Sequence, residues 1–274
     1  MTEPRILLYL CALAYRNPPS GIALRLGHGN IVPVREMCQE ILRLHSDGTL
    51  SCGALAHWEW DMFSTLMRQE TDIIRYVNHN TTTGFVGMAF RDARGQIFAA
   101  MRGSETRKNC APTLIDWADN FSAPFSSSVQ YPDAVAFADF FPMENLTIIG
   151  HSKGGNNALY ALAMTKNPIA TAVAFNGQGF PCKFFNAAQK ERLRNRGMNY
   201  VVANDIVGAL LCHPERREFV RGRRNVPPHS PEAYAFDENG FPLPASRTLK
   251  SLGIGVSSKL LLPFLSDRLV PHST

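Results

Sequence analysis

The chain has 274 residues, of which 45% are hydrophobic and 19% are charged, and it carries a formal net charge of +5. Such a composition is typical of soluble globular proteins and excludes intrinsically disordered and collagen-like chains. The length permits one α/β domain of ordinary size or two small domains, and it suffices to bury a full hydrophobic core.

Basic residues form two dense clusters, at 190–196 and 216–224. These clusters could face phosphates or an anionic lipid surface, but a solvated helix face and a charged edge strand explain them more simply. They lack the series of aromatic side chains on which nucleic-acid bases stack, so we expect no nucleic-acid partner.

The six cysteines are scattered and form no CxxC pair. This spacing predicts neither a disulfide framework nor a zinc site, and the adjacent pair Cys212-His213 is too small a ligand set for a metal. We therefore interpret the cysteines as mostly buried free thiols in a reducing compartment, the cytoplasm. We predict no metal and no organic cofactor.

The first 80 residues are predicted to be mainly helical. The apolar stretch 6–14 is too short for a usual signal peptide and follows both acidic and basic residues, so we predict an opening amphipathic helix. Secretion without a conventional signal peptide stays open. Apolar residues at three- and four-residue spacing predict further helices at 34–44 and 62–77.

The pattern then changes to strands. Two β-rich runs, 84–91 and 96–102, are joined by a turn at 92–95 and predict a hairpin. From residue 145 strands alternate with helices: strands at 146–149, 170–175 and 200–203, helices at 153–165 and 187–196. This alternation predicts an α/β fold with a mostly parallel central sheet flanked by helices.

A GxSxG motif, Gly150-His151-Ser152-Lys153-Gly154, lies where a predicted strand ends and a helix begins. This is the setting of a nucleophile elbow, in which a serine is held on a strained turn between small neighbours. The amide of Lys153 would lie at the helix N-terminus, where a negatively charged oxyanion is stabilised. We expect the His151 side chain to pack beside the strand ends and the Lys153 side chain to point outward.

A serine nucleophile needs a base and an acid, which follow it in the chain order Ser, Asp, His on such a sheet. Asp205 directly follows a predicted strand and is the candidate acid. Three later histidines could be the base: His213, His229 and His272. His229 is favoured because the flanking prolines restrict its loop.

A second oxyanion donor should come from a loop after an earlier strand. Ser104 follows Arg102-Gly103 at the end of the hairpin and is the candidate, although spacing alone fits an ordinary turn equally well. The loop 105–124 would then lie beside the pocket and could act as a lid.

The chain resembles the class three (fungal-type) lipase branch of the α/β-hydrolases, and it resembles the bacterial Mbeg-like proteins of that branch more closely still. Four stretches carry the resemblance: Ala89-Phe90-Arg91 through Arg102-Gly103-Ser104, Asp116-Trp117-Ala118-Asp119-Asn120, 150–160 with 175–180, and 204–208. By position, Ser152 matches the nucleophile, Asp205 the acid, His229 the histidine and Ser104 the oxyanion residue. The relatives have an aspartate where this chain has Ser230.

The resemblance implies one α/β-hydrolase domain over residues 1–274, with a helical part at 1–80, a catalytic core at 84–232 and a divergent tail at 233–274. It implies a serine hydrolase that cleaves carboxylic esters or thioesters through an acyl-enzyme, with a small molecule or lipid as substrate. The alternative is a non-catalytic scaffold that binds a lipid or protein partner. The apolar tail 249–265 could be a core helix, a peripheral membrane contact or a contact with another subunit; the sequence leaves the oligomeric state open.

Overall fold

The computed structural model of the protein describes residues 2–50, 55–103 and 128–248, together with residues 253 and 257. Its N-terminal part contains four helices: α1 (Pro4–Leu13), α2 (Ser20–Gly27), α3 (Val34–Ser46) and α4 (His57–Leu66). The predicted opening helix is confirmed as α1, but nine of its ten residues are buried. It is therefore enclosed on nearly all sides rather than amphipathic.

The helix predicted at 62–77 is only partly correct. Helix α4 ends at Leu66, and strand β2 (Thr71–His79) follows it. The apolar spacing continued through this boundary, but Thr71, Ile73, Ile74 and Val77 are β-branched residues that favour a strand. Backbone pairing with the next strand then decides the conformation, which spacing within one segment cannot reveal.

One sheet of eight strands is the centre of the molecule, with the strands in chain order from β1 to β8. The first four are antiparallel: β1 (Val32–Pro33), β2, β3 (Phe85–Asp92) and β4 (Ile97–Met101). The predicted hairpin is confirmed as β3 and β4. Its turn ends at Gly95, whose φ of +80° is a conformation that glycine adopts without strain.

The second half of the sheet is parallel, and from β5 to β7 its strands alternate with helices, as predicted. Its elements are α5 (Tyr131–Asp139), β5 (Leu146–His151), α6 (Lys153–Met164), β6 (Thr171–Phe175), α7 (Ala187–Arg196), β7 (Gly197–Val202) and β8 (Arg216–Val220). The predicted α/β fold, with a mostly parallel central sheet flanked by helices, is confirmed. The carboxyl ends of its parallel strands lie at one edge, where ligands of open α/β sheets bind.

Each face of the sheet has its own hydrophobic core. Alternate residues of β4 separate the two: Phe98 and Ala100 pack with the N-terminal helices, whereas Ala99 and Met101 pack with α5 and α6. Successive side chains of a strand point to opposite faces of the sheet, and both faces are covered by helices here. The strands are therefore apolar along most of their length.

A disulfide joins Cys182, after β6, to Cys212, after β7. The prediction of free thiols is therefore wrong for these two residues and confirmed for Cys11 and Cys38, which are buried and unbonded. The two segments that carry these cysteines meet because the backbones of Phe180 and Cys212 form an antiparallel bridge. Cysteine spacing does not reveal such a long-range pairing.

The basic clusters lie on α7 and on β8 with the loop that follows it. Strand β8 is the last strand of the sheet, as expected for a charged edge strand, and the amide of Ala245 donates to Phe219 across its outer edge. In the described part of the chain no helix has the length and hydropathy needed to cross a membrane. The apolar stretch at 249–265 lies outside the described residues, apart from 253 and 257.

Candidate active site

Ser152 lies on the turn between β5 and α6, as predicted. Its φ of 59° and ψ of −125° are strained for a residue with a side chain, and strain of this kind persists only where the surroundings impose it. A Cβ atom on Gly150 would lie 2.2 Å from the carbonyl of Gly154, and one on Gly154 would lie 2.0 Å from the carbonyl oxygen of Met101. The glycines of the motif are therefore required by the close approach of three backbone segments.

His229 meets the serine side chain. Its Nε2 atom lies 2.7 Å from Ser152 Oγ, and its Nδ1 atom lies 2.9 Å from Asp205 Oδ1. The loop that carries it is held by two bonds of its own: Asn176 Nδ2 donates to the carbonyl of Pro228, and the Ser230 amide donates to that of Pro227. The histidine side chain is 36% exposed, so a substrate can reach it from solvent.

The carboxylate of Asp205 contacts the second ring nitrogen of His229, Nδ1. Asp205 follows β7 and is only 2% exposed. Its Oδ1 atom faces His229, while its Oδ2 atom accepts a 2.7 Å hydrogen bond from the Gly208 amide. A buried carboxylate held in this way can fix the tautomer of an imidazole and stabilise its protonated form.

Of the other candidate bases, His213 contacts different partners and not Ser152. His213 is buried, and its two ring nitrogens contact Glu215 Oε1 at 2.7 Å and the carbonyl of Leu210 at 2.9 Å. Burial of the Glu215 carboxyl raises its pKa, but the charge and hydrogen bond of His213 outweigh this effect, and the net pKa is lowered. His272 lies outside the described residues.

The predicted outward orientation of Lys153 is wrong. Its side chain is only 2% exposed, and its ammonium group lies 5.5 Å from the centre of the Tyr131 ring. The first turn of α6 packs against α5 rather than facing solvent, so the lysine stem is buried and its charge faces an aromatic ring. The Lys153 amide is the first of α6 and lies at the positive end of the helix dipole.

The loop after β4, which is expected to supply a second oxyanion donor, begins next to the nucleophile elbow. A Cβ atom on Gly103 would lie 2.7 Å from the carbonyl oxygen of His151 and 3.3 Å from Ser152 Cβ. The neighbouring candidate, Ser104, lies outside the described residues, and so does the loop 105–124.

Sequence reasoning missed Tyr15, which follows α1. Its hydroxyl lies 3.3 Å from both the Nδ1 atom and the carbonyl oxygen of His151. His151 itself is buried beside the strand ends, as predicted, and its ring centre lies 5.2 Å from that of His229. No spacing rule connects residues 15 and 151, so only the folded chain reveals this contact.

Metal chemistry has no site within the described ranges, where no group of three or more histidine, cysteine, aspartate or glutamate side chains could hold an ion. The arrangement around Ser152 is instead suited to proton transfer from a hydroxyl group to an imidazole supported by a carboxylate. This is the chemistry of nucleophilic acyl transfer.

The chain is similar to a mutant form of MDLA from Penicillium cyclopium, with 16% identity, coverage of 77% of this chain and 90% of that chain, and a TM-score of 0.44. It is also similar to a mono- and diacylglycerol lipase from Aspergillus oryzae, with 16% identity, coverage of 70% and 81%, and a TM-score of 0.45. No curated protein matches the sequence significantly. The model of the Mbeg1-like family matches residues 68–259, which is more than half of the sequence, and the chain therefore belongs to the Mbeg1-like family.

Proposed function

We propose that this lipase-like α/β-hydrolase is a serine esterase that cleaves carboxylic esters or thioesters, with Ser152 as nucleophile, His229 as base and Asp205 as acid. The observation that carries the proposal is the continuous pair of contacts from Ser152 Oγ to His229 and from His229 to Asp205, at 2.7 and 2.9 Å. Both distances lie within the range of hydrogen bonds that transfer protons in catalysis.

The proposed reaction has two halves. Ser152 Oγ attacks the substrate carbonyl while His229 Nε2 takes the hydroxyl proton, and the alcohol or thiol leaves with that proton. Water then attacks the acyl-enzyme with His229 again as base. The amide of Lys153, and that of Ser104 in the neighbouring loop, would hold the oxyanion in both halves, and losing one such donor costs about 10²–10³ in rate.

The proposed substrate is a small-molecule or lipid acyl ester. An ester places no demand on the site beyond the nucleophile, the proton relay and an oxyanion donor. The alternative of a non-catalytic scaffold would be favoured by a large distance between Ser152 and His229, and the 2.7 Å contact between them argues against it.

We also propose that the chain acts in an oxidising compartment in place of the cytoplasm. The support is the disulfide between Cys182 and Cys212, because such bonds persist mainly in oxidising compartments.

The test is covalent labelling with a fluorophosphonate probe, which reacts with activated serines. We expect rapid labelling of the native chain, none of Ser152→Ala, and labelling slowed by several orders of magnitude in His229→Ala. Ser46→Ala, on the exposed last turn of α3, is the matched control and should label like the native chain. Labelling that survives Ser152→Ala overturns the proposal, and a series of p-nitrophenyl esters then measures acyl-chain preference.

A further inference from the structure

Tyr15 brings a phenol from the N-terminal helices to the elbow. Besides the two 3.3 Å contacts with His151, its hydroxyl lies 2.2 Å from the point that a Cβ atom on Gly103 would occupy, and Ser152 Cβ lies 3.3 Å from the same point. The phenol is therefore at the junction of the ends of β4 and β5, directly beside the nucleophile. It lies outside residues 68–259, the stretch that matches the family model.

His151 connects this phenol to the base. Its ring is 3% exposed and is tilted by 40° against the His229 ring, with the centres 5.2 Å apart. Burial, and then the charge of His229, lower the pKa of His151 well below its usual value, while an interaction with the backbone carbonyl of His229 acts in the opposite direction. Both effects favour the neutral form of the ring, which lies beside a base that becomes positively charged during the reaction.

A neutral imidazole carries one proton, so its hydrogen bonds decide which nitrogen holds it. A three-centre bond from the single Tyr15 hydroxyl proton to both the His151 carbonyl oxygen and Nδ1, each 3.3 Å away, requires the proton of His151 to be on Nε2. Nε2 is buried and makes no hydrogen bond of normal geometry within the described part of the chain. The Nε2–H group can then donate to the backbone carbonyl of His229. The hydrogen bond from Asn176 to the carbonyl of Pro228, the preceding residue, restrains this part of the backbone.

We propose that Tyr15, acting through His151, is a positioning residue that holds His229 in line between Ser152 and Asp205. This inference rests on the proposed function, since it concerns the same serine and base. It makes the N-terminal helical region, which the family match does not include, part of the working active site.

The first test compares Tyr15→Phe with Tyr9→Phe. Both variants remove a phenol hydroxyl near α1, but the Tyr9 hydroxyl donates to Asp61, 2.7 Å away. We measure the second-order rate of fluorophosphonate labelling across pH, together with the melting temperature. A small misplacement of a catalytic group costs up to about 10² in rate, so we expect Tyr15→Phe to label roughly ten- to a hundredfold more slowly at neutral pH.

The pH profile separates positioning from a general structural effect. The titratable groups that face His229 are Asp205, after β7, and His151, at the end of β5. Without the Tyr15 bond, the proton of His151 can move to Nδ1, which leaves a lone pair on Nε2 facing His229. That lone pair favours the protonated form of His229, the proposed base. The acid limb of the profile should therefore move to higher pH in Tyr15→Phe and stay in place in Tyr9→Phe.

A double-mutant cycle tests whether Tyr15 acts through His151. His151→Gln should reproduce the loss of rate, and the double variant should be no slower than His151→Gln alone. Additive losses would overturn the proposal. A second measurement needs no variant at all: in the native chain, NMR of isotope-labelled histidine should show His151 as the neutral Nε2–H tautomer, and the Nδ1–H tautomer would contradict the inference.

The outcomes distinguish this inference from the proposed function. If Ser152→Ala still reacts with the probe, the function itself fails. If native labelling depends on Ser152 but Tyr15→Phe and Tyr9→Phe react at equal rates with equal pH profiles, only the role of Tyr15 fails.

Discussion

Replacing Asp205 with asparagine removes one charge from the site and almost no volume. The Gly208 amide donates to Oδ2 at 2.7 Å, so an asparagine keeps its carbonyl oxygen at that position and turns its amide nitrogen toward His229. The His229 Nδ1 atom must then accept a hydrogen bond, and its proton moves to Nε2. In that tautomer the nitrogen that faces Ser152 Oγ has no lone pair to take the hydroxyl proton.

The expected loss is about 10⁴-fold in kcat, the size measured when a histidine is held in the wrong tautomer, which corresponds to about 5.4 kcal/mol of activation free energy. The assay is hydrolysis of the best p-nitrophenyl ester, with the melting temperature as a check on folding. Asp237→Asn is the matched control, because Asp237 accepts a bond from the Phe241 amide in a turn. A loss of less than tenfold for Asp205→Asn, or equal losses in both variants, would refute the reasoning.

Three further predictions concern stability. Reduction of the disulfide, or Cys182→Ser, should lower the free energy of unfolding by about 3 kcal/mol for a bond that closes 30 residues, and a melting temperature unaffected by dithiothreitol would contradict this. Because the pKa of buried His151 is lowered in the folded chain, the unfolded chain binds more protons, so stability should decline as pH falls below about 6.5. Denaturant unfolding of His151→Gln should lack this contribution, roughly 1.4 kcal/mol per pH unit. Arg16→Met leaves the carboxylate of Glu59 buried without its ion pair, 2.7 Å long, and should cost about 3–5 kcal/mol in urea unfolding; a cost under 1 kcal/mol would argue against it.

The alternating half of the fold could be predicted from sequence because local patterns specify it. Strands β5, β6 and β7 are short apolar runs bounded by turn residues, and each is followed along the chain by a segment whose pattern differs clearly. The misassignment lies at residues 67–77, where apolar spacing continued beyond α4 into β2. Only the pairing of β2 with β3 distinguishes the two conformations, and that pairing joins residues that local spacing does not relate.

The candidate site shows the same contrast between features that local patterns specify and features that depend on tertiary packing. Ser152, Asp205 and His229 could be proposed to meet because the chain order of an elbow sheet relates them, whereas their catalytic roles remain a proposal. The burial of Lys153 could not be predicted, since it depends on how α5 packs against α6. The contacts of Tyr15 depend in the same way on where the N-terminal helices dock, and no local pattern encodes that.

The strained conformation of Ser152 links these observations. A positive φ at a serine costs of order 1–3 kcal/mol and persists only when several neighbours impose it together. Here the Ser152 amide donates to the carbonyl of Phe175 on β6. The glycines of the motif allow the backbone of Met101 on β4 to approach closely. The Tyr15 hydroxyl donates to the carbonyl of His151, the residue before the nucleophile. These restraints come from three separate parts of the chain. The nucleophile is consequently a product of the assembled fold, and weakening the N-terminal restraint should affect reactivity before it affects folding.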